Sequence, residues 1–295
     1  MMRICMFWMV VFSLSIVSCS TKQVENDRTR QLLKGEVKSI IETCYSLSGK
    51  RATVVNFTTS GFVSKQSGYN PDGSLIRTWI FEYNMHNQPI KKICYVMNDS
   101  LSYITRYFYN KMGKLNYTIQ LNSNGYSYVD SRFIYDSNKN KAEEFYYSSK
   151  KNASLKITYK YDKENRIIEQ VFVDSTIHQT WRQINKYSSG LLTESANKTM
   201  YDSLLLRQTY TYDEKDRIVD VRQFDGRNRP IMKTSYVYDS HGNKTKVITL
   251  SGDNSIKERR TYVYKYDKHG NYTFLLEYVN GDLECTTTRD IQYYN

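Results

Sequence analysis

The chain has 295 residues, 40% of them hydrophobic, with 28 Tyr against 13 Gly and 3 Pro, and a formal net charge of +12. These values exclude collagen-like, proline-rich and low-complexity chains, and the one apolar run long enough to matter lies at the extreme N-terminus, which argues against a polytopic membrane protein. Abundant tyrosine favours sheet, where aromatic side chains fit a pleated, half-buried surface.

Residues 1–18 read as an export signal. Arg3 gives the positive start and Ile4 to Val17 form the apolar stretch, too short and too early for a membrane span. Ile16-Val17-Ser18-Cys19 resembles a bacterial lipobox, which implies that Cys19 is acylated and becomes the first mature residue. Residues 19–32, polar and of mixed charge, then form a tether. Because Ser20 rather than Asp follows the cysteine, the resemblance favours anchoring in the outer membrane, with the protein periplasmic or surface-exposed.

Residues 33–295 read as one β domain. Leu33 to Tyr45 has apolar residues at helical spacing, yet it matches the strand that follows later turns and is assigned as the first strand. From there a period governs the chain. Tyrosines followed by turn-like clusters stand at Tyr83, Tyr109, Tyr135, Tyr161, Tyr187, Tyr212, Tyr238 and Tyr266, in steps of 26, 26, 26, 26, 25, 26 and 28. Four residues after most of them comes Gly, Asn or Asp, including Gly113, Gly242 and Gly270, types that tolerate positive φ at a tight turn. At Tyr187 the glycine arrives one residue early, as Gly190, which predicts a shortened turn and explains the step of 25.

Two residues before these tyrosines stand Phe81, Tyr107, Phe133, Tyr159, Asn185, Tyr210, Tyr236 and Tyr264. Strand positions i and i+2 share a face, so the pairs predict an aromatic ladder stacked across the units on a concave, packed side. A second alternating run follows each turn and ends in a second turn series, as at Asn122-Ser-Asn-Gly125. Each unit is therefore strand, turn, strand, turn: an antiparallel β-meander of about eighteen strands. A sheet that long accumulates twist and curls, giving an all-β, superhelical or barrel-like single sheet.

Tyr236-Val-Tyr-Asp-Ser-His-Gly-Asn243 and Tyr264-Lys-Tyr-Asp-Lys-His-Gly-Asn271 resemble the YD or RHS-type repeat, over about Tyr69 to Tyr278. That family builds β-strips wound into spirals or hollow cocoons, as carriers or adhesive shafts. With eight or nine units and no toxin-like or self-cleaving segment, the chain is most similar to the small YD-repeat lipoproteins of Bacteroidetes-type bacteria. The resemblance implies the architecture and leaves the role open.

Candidate chemistry is sparse. After removal of Cys5 and Cys19, the cysteines Cys44, Cys94 and Cys285 are odd in number and widely spaced, which indicates neither a zinc site nor a disulfide framework; each reads as a buried strand thiol. Of the four histidines, His86, His241 and His269 occupy one repeat slot and read with His178 as surface or turn residues rather than a catalytic or metal set. Asp162, Asp213, Asp239 and Asp267 read as turn aspartates bonding their own backbone amides. No phosphate loop, nucleophile elbow or zinc-protease motif occurs, so no cofactor or metal is expected and the chain reads as non-enzymatic. The lysines are spread through every unit, a pattern suited to an anionic glycan, lipopolysaccharide or another envelope protein rather than nucleic acid. Ser100, Ser175 and Ser203 each follow Asp and resemble the Asp-Ser/Thr-apolar acceptor of Bacteroidetes O-glycosylation. The sequence thus predicts a lipid-anchored envelope scaffold for binding or adhesion. An envelope carbohydrate-active enzyme and a shell or holder for a secreted partner are the alternatives.

Overall fold

The computed structural model describes Asp27 and residues 31–46, 49–97, 99–147 and 153–295. Cys19 and the export signal lie outside the described residues. Twenty strands follow in chain order: β1 (Val37–Ser46), β2 (Gly49–Phe57), β3 (Val63–Tyr69), β4 (Leu75–Tyr83), β5 (Pro89–Val96), β6 (Ser100–Tyr109), β7 (Leu115–Asn122), β8 (Ser127–Tyr135), β9 (Lys141–Tyr147), β10 (Ala153–Tyr161), β11 (Ile167–Asp174), β12 (Gln179–Ser188), β13 (Leu191–Thr199), β14 (Leu204–Tyr212), β15 (Ile218–Asp225), β16 (Pro230–Tyr238), β17 (Lys244–Ser251), β18 (Ile256–Tyr266), β19 (Tyr272–Val279) and β20 (Asp282–Tyr293). Each pairs antiparallel with its neighbours in sequence, and β1 pairs with β20, from Val37↔Tyr293 to Ser46↔Cys285. The meander therefore closes into a barrel. Two strands more than the sequence suggests are present, and the first begins at Val37 rather than Leu33.

The repeat motif explains how the hairpins are built. At Asn110, for example, the backbone N–H bonds the Lys114 carbonyl while the Gly113 N–H bonds the Asn110 carbonyl, and the same pair recurs at Asp162, Asp213, Asp239 and Asp267. The fourth residue after the tyrosine takes positive φ: Gly113 at 71°, Gly242 at 93°, Gly270 at 81°, and also Lys139 at 64°. In these turns, the one after Tyr187 excepted, Oδ1 of the Asn or Asp after the tyrosine accepts backbone N–H groups, as Asp162 does from Glu164 and Arg166 at 3.0 and 2.9 Å. After Tyr187 the loop shrinks to Ser189 and Gly190, both at positive φ, between paired Ser188 and Leu191.

Every one of the eight repeat tyrosines sits at a break in register, where its strand meets the next one across a β-bulge. A bulge re-aims the side chain, and here it turns the phenol sideways onto the preceding strand. Seven hydroxyls donate to a carbonyl twenty residues upstream: Tyr83 to Val63, Tyr109 to Pro89, Tyr135 to Leu115, Tyr161 to Lys141, Tyr187 to Ile167, Tyr212 to Leu192 and Tyr238 to Ile218, all at 2.7–2.9 Å. At the eighth unit Tyr264 takes over, donating to Lys244, and Tyr266 donates instead to Asp239 Oδ2. Asn185, the one non-aromatic member of the second row, is buried and shares the Ile167 carbonyl with Tyr187.

The expected ladder is corrected in one respect. Rings meet within a unit, as Tyr159 on Tyr161 at 6.4 Å and Tyr264 on Tyr266 at 5.8 Å, but the rings of successive units share a face without stacking on each other, because an intervening strand separates them by about 9.6 Å. That strand inserts Lys92 beside Phe81, Thr118 beside Tyr107, Glu144 beside Phe133, Gln170 beside Tyr159 and Val247 beside Tyr236.

The cysteines require a second correction. Cys44 and Cys285 form a disulfide with Cα atoms 6.4 Å apart and 241 residues apart in sequence, while Cys94 is free and buried. Their wide spacing hides the pair because closure brings the first and last strands together. The bond lies diagonally across the β1–β20 seam, beside the Arg289–Glu42 ion pair at 2.7 Å. The main apolar cluster, Leu33, Val37, Ile40, Phe57 and Val63, lies at the tyrosine-side mouth near this seam. There Leu33 and Lys34 cross from strand ends to the turn at Asn271, whose Oδ1 accepts the Lys34 N–H at 2.7 Å.

Replacing Tyr161 by Phe should lower the unfolding free energy by about 1 kcal/mol, the net contribution of one such hydrogen bond, and a Tyr109→Phe, Tyr212→Phe pair should lower it additively in urea unfolding. A Cys44→Ser, Cys285→Ser variant should lose about 2–5 kcal/mol. Thiol titration of the denatured chain should find two more free groups after reduction than before it.

Candidate functional site

The barrel has two chemically distinct walls. On the face bearing the repeat tyrosines lie the buried Cys94, Thr105, Thr118, Ser131, Glu144, Ile157, Asn185, Ser195 and Thr287. Exposed Ile134, Val173, Val237 and Val263 lie on the other face, where only small groups such as Ser67 and Thr78, bonded to each other at 2.8 Å, are shielded. Side chains converge on a concave face and diverge on a convex one, so the tyrosine face lines the lumen. Members of the aromatic row, including Tyr107, Tyr159 and Tyr210, are half-buried rather than buried, as neighbours around a wet space are and as the packed centre of a sandwich is not. Twenty strands about 4.8 Å apart and tilted like other barrel strands enclose a cylinder about 40 Å across between backbones.

Burial raises the lumenal phenols. Tyr109, Tyr161 and Tyr210 are pushed up to about 12, and Tyr83, Tyr159 and Tyr264 are raised by the same cause. Between β11 and β15 the wall is uncharged: Gln170 pairs with Gln183, Gln208 with Gln223, and Gln183 donates to Ser195 Oγ at 2.7 Å. Phe172 stacks on Trp181 with ring centres 5.1 Å apart. Four lumenal carboxylates are held by cations, Glu144 by Lys141, Glu42 by Arg289, and both Glu258 and Glu277 by Arg260, while Asp130 accepts from the Thr118 hydroxyl at 3.2 Å. Lys141 also lies 5.2 and 5.7 Å from the rings of Phe133 and Tyr159, and burial lowers its pKa. By contrast the outer wall carries mid-strand ion-pair chains, Lys160–Glu169–Arg182 and Lys186–Glu194–Arg207.

A cleft of about 480 Å³ opens at the tyrosine-side mouth, lined by Gln31, Gln66, Asn87, Phe81, Tyr83 and Tyr107 among others. Nothing in the sequence pattern marks it, because its walls come from the residues before the first strand and from three different hairpins.

The remaining sequence-predicted positions fall as follows. His241 stacks on Tyr266 with ring centres 3.9 Å apart, and His269 lies tilted against Tyr293 at 4.2 Å. Ser100 opens β6 after Asp99 at positive φ. Ser175 donates to the Ala153 and Ser154 carbonyls, and Ser203 follows Asp202 in an exposed turn. All three serines lie on the rim opposite the tyrosine turns.

Comparison with known proteins finds no matching family model and no curated protein that matches. Among solved structures, the chain is similar to the Tc holotoxin pore of Photorhabdus luminescens, at 13% identity over 79% of this chain and 14% of that one, TM-score 0.44. It is also similar to porin-like proteins from Bacteroides uniformis, at 12% identity over 88% and 99% of the two chains, TM-score 0.38, and Bacteroides vulgatus, at 10% over 88% and 99%, TM-score 0.36. The chain thus spans a small part of the toxin chain.

Tyrosines whose folded pKa exceeds the unfolded value stabilise the fold below pH 10, and that contribution is lost as pH rises toward 12, because the unfolded chain then ionises more readily. Thermal unfolding followed by circular dichroism should therefore show a melting temperature flat up to about pH 9 and falling steeply above pH 10, with phenolate absorbance appearing alongside unfolding.

Proposed function

We propose that the protein is a non-catalytic, lipid-anchored envelope holder that binds its ligand inside the barrel, with Cys19 carrying the anchor at the outer membrane. The observation that carries this reading is the difference between the walls: tyrosines and amides, with a few ion pairs and cations among them, line a hollow lumen, while chains of mid-strand ion pairs face outward. Such an outer wall is unsuited to a lipid-facing surface, where a transmembrane barrel needs an apolar band about 25 Å tall, so the barrel stands in water beside the membrane that its lipid enters. The pairing of Glu42, Glu144, Glu258 and Glu277 with cations supports a binding role over an acid–base one. An adhesive role for the outer face, toward anionic glycan or lipopolysaccharide, is the second reading, favoured by the surplus of positive charge.

Two measurements test this. Mass spectrometry of the exported protein should show acyl mass that disappears in Cys19→Ala; an unmodified wild type would remove the anchor from the proposal. Binding of envelope glycans and lipopolysaccharide to the full chain in detergent should survive Lys156→Glu, Lys246→Glu and Lys265→Glu on the outer wall, and loss of binding in that triple variant would move the ligand to the outside.

A further inference from the structure

The lumen is not uniformly neutralised. Arg77 on β4 and Lys92 on β5 both project from the tyrosine face, and both lie over the same ring: the Arg77 guanidinium carbon is 5.4 Å, and Lys92 Nζ 5.6 Å, from the Trp79 ring centre. Their charges are therefore no more than about 11 Å apart, close enough in a partly screened space to raise the local positive potential. Lys141, Arg260 and Arg289 each hold a carboxylate, whereas neither Arg77 nor Lys92 has one among the described ion pairs. Lys244 also lies over an aromatic ring, Tyr236, at 4.3 Å, but alone.

The surroundings form a built recess rather than a loose surface pair. Trp79 is fixed by its indole N–H donating to the Tyr103 hydroxyl at 3.4 Å, and directly opposite it stands the fully buried Cys94. Lys92 is steadied at 5.8 and 5.9 Å from the rings of Phe81 and Tyr103. Opposite Arg77 on β3 stands Gly68, whose absent Cβ would meet nothing within 4 Å. Its φ lies outside the left-handed region, so backbone conformation does not demand glycine here. The effect is open space beside the guanidinium.

We propose that Arg77 and Lys92, set by Trp79 and opened by Gly68, form an oxyanion-binding site in the lumen, taking the phosphate, sulfate or carboxylate group of a small organic molecule. A guanidinium fork matches the planar or tetrahedral oxygens of such groups, and the lysine adds a point charge from the neighbouring strand. This assignment rests on the reading of the lumen as the binding wall.

The test is calorimetry and tryptophan fluorescence on the full chain in detergent, with glucose 6-phosphate, glucuronate and glucose as probes. Glucose 6-phosphate or glucuronate should bind and change the emission, glucose should not, and which of the two binds separates a phosphate from a carboxylate ligand. Arg77→Met and Lys92→Met should each weaken binding tenfold or more, and Gly68→Leu, which keeps every charge and fills the recess, should do the same. Trp79→Phe should abolish the emission change. Lys246→Met, on the outer wall, should leave affinity unchanged. Equal binding of glucose, or full affinity in Arg77→Met and Gly68→Leu while Lys246→Met is also silent, would overturn this site and leave the lumenal reading standing. A loss in Lys246→Met matching that in Arg77→Met would overturn both. Circular dichroism melting of each variant identifies any that fail to fold, and Gly68→Leu and Arg77→Met, on different strands, must agree for the site to stand.

Discussion

The barrel depends on a phenol hydroxyl near the end of each even-numbered strand from β4 to β16 reaching the carbonyl at the start of the strand before it. That carbonyl stands at a bulge, where ordinary ladder pairing is interrupted, and a half-buried carbonyl left without a partner is costly. The tyrosine therefore does two jobs with one side chain. Its ring covers the lumenal face of the hairpin, and its hydroxyl ties one turn to the turn of the unit before. Where the aromatic partner is missing, at Asn185, an amide bonds the same carbonyl beside the Tyr187 hydroxyl. At Tyr266 the arrangement changes: the unit that ends there is two residues longer, Tyr264 takes the Lys244 carbonyl, and the Tyr266 hydroxyl donates to Asp239 in the turn between β16 and β17.

Much of this is written in the order of residues. The spacing of Tyr83 through Tyr266 gives the hairpin length, the Gly, Asn and Asp four residues later give the turn, and the early Gly190 gives the one short loop. These are local facts, fixed by φ preferences and by the two-residue alternation of a strand. What the sequence does not show is whatever depends on strands two or more apart. Rings two residues before each tyrosine share a face as expected, yet whether they touch depends on the width of the strand between them. Cys44 and Cys285 sit in unremarkable strand-like runs, and only closure makes them neighbours. In the same way Arg77, Trp79, Lys92 and Gly68 lie on three strands with no common motif, and their relation is a matter of register.

Closure also decides which wall faces which environment. In an open strip both faces would meet solvent, and the half-buried phenols would form a long apolar surface of the kind that drives association. Once β1 meets β20, that surface is internal, and the ion pairs of Lys160, Glu169 and Arg182 form the outside. Polar groups stand among the lumenal aromatics, so the interior is not a packed apolar core. This accounts for the small number of buried apolar residues among the described ones, of which Leu33, Val37, Ile40, Phe57 and Val63 gather at one mouth and Cys94, Ile157, Leu192 and Ala196 lie apart from them.

The seam has a consequence for biogenesis. Nineteen of the twenty strand pairings join neighbours in sequence and can form as each hairpin emerges, since short loops cost little entropy to close. The last pairing joins the two ends of the chain and must wait for the final strand to be delivered. Until then a growing ribbon presents two bare edges to anything nearby, so the interval between synthesis of the first strand and arrival of the last is the period of greatest exposure to aggregation and to helper proteins.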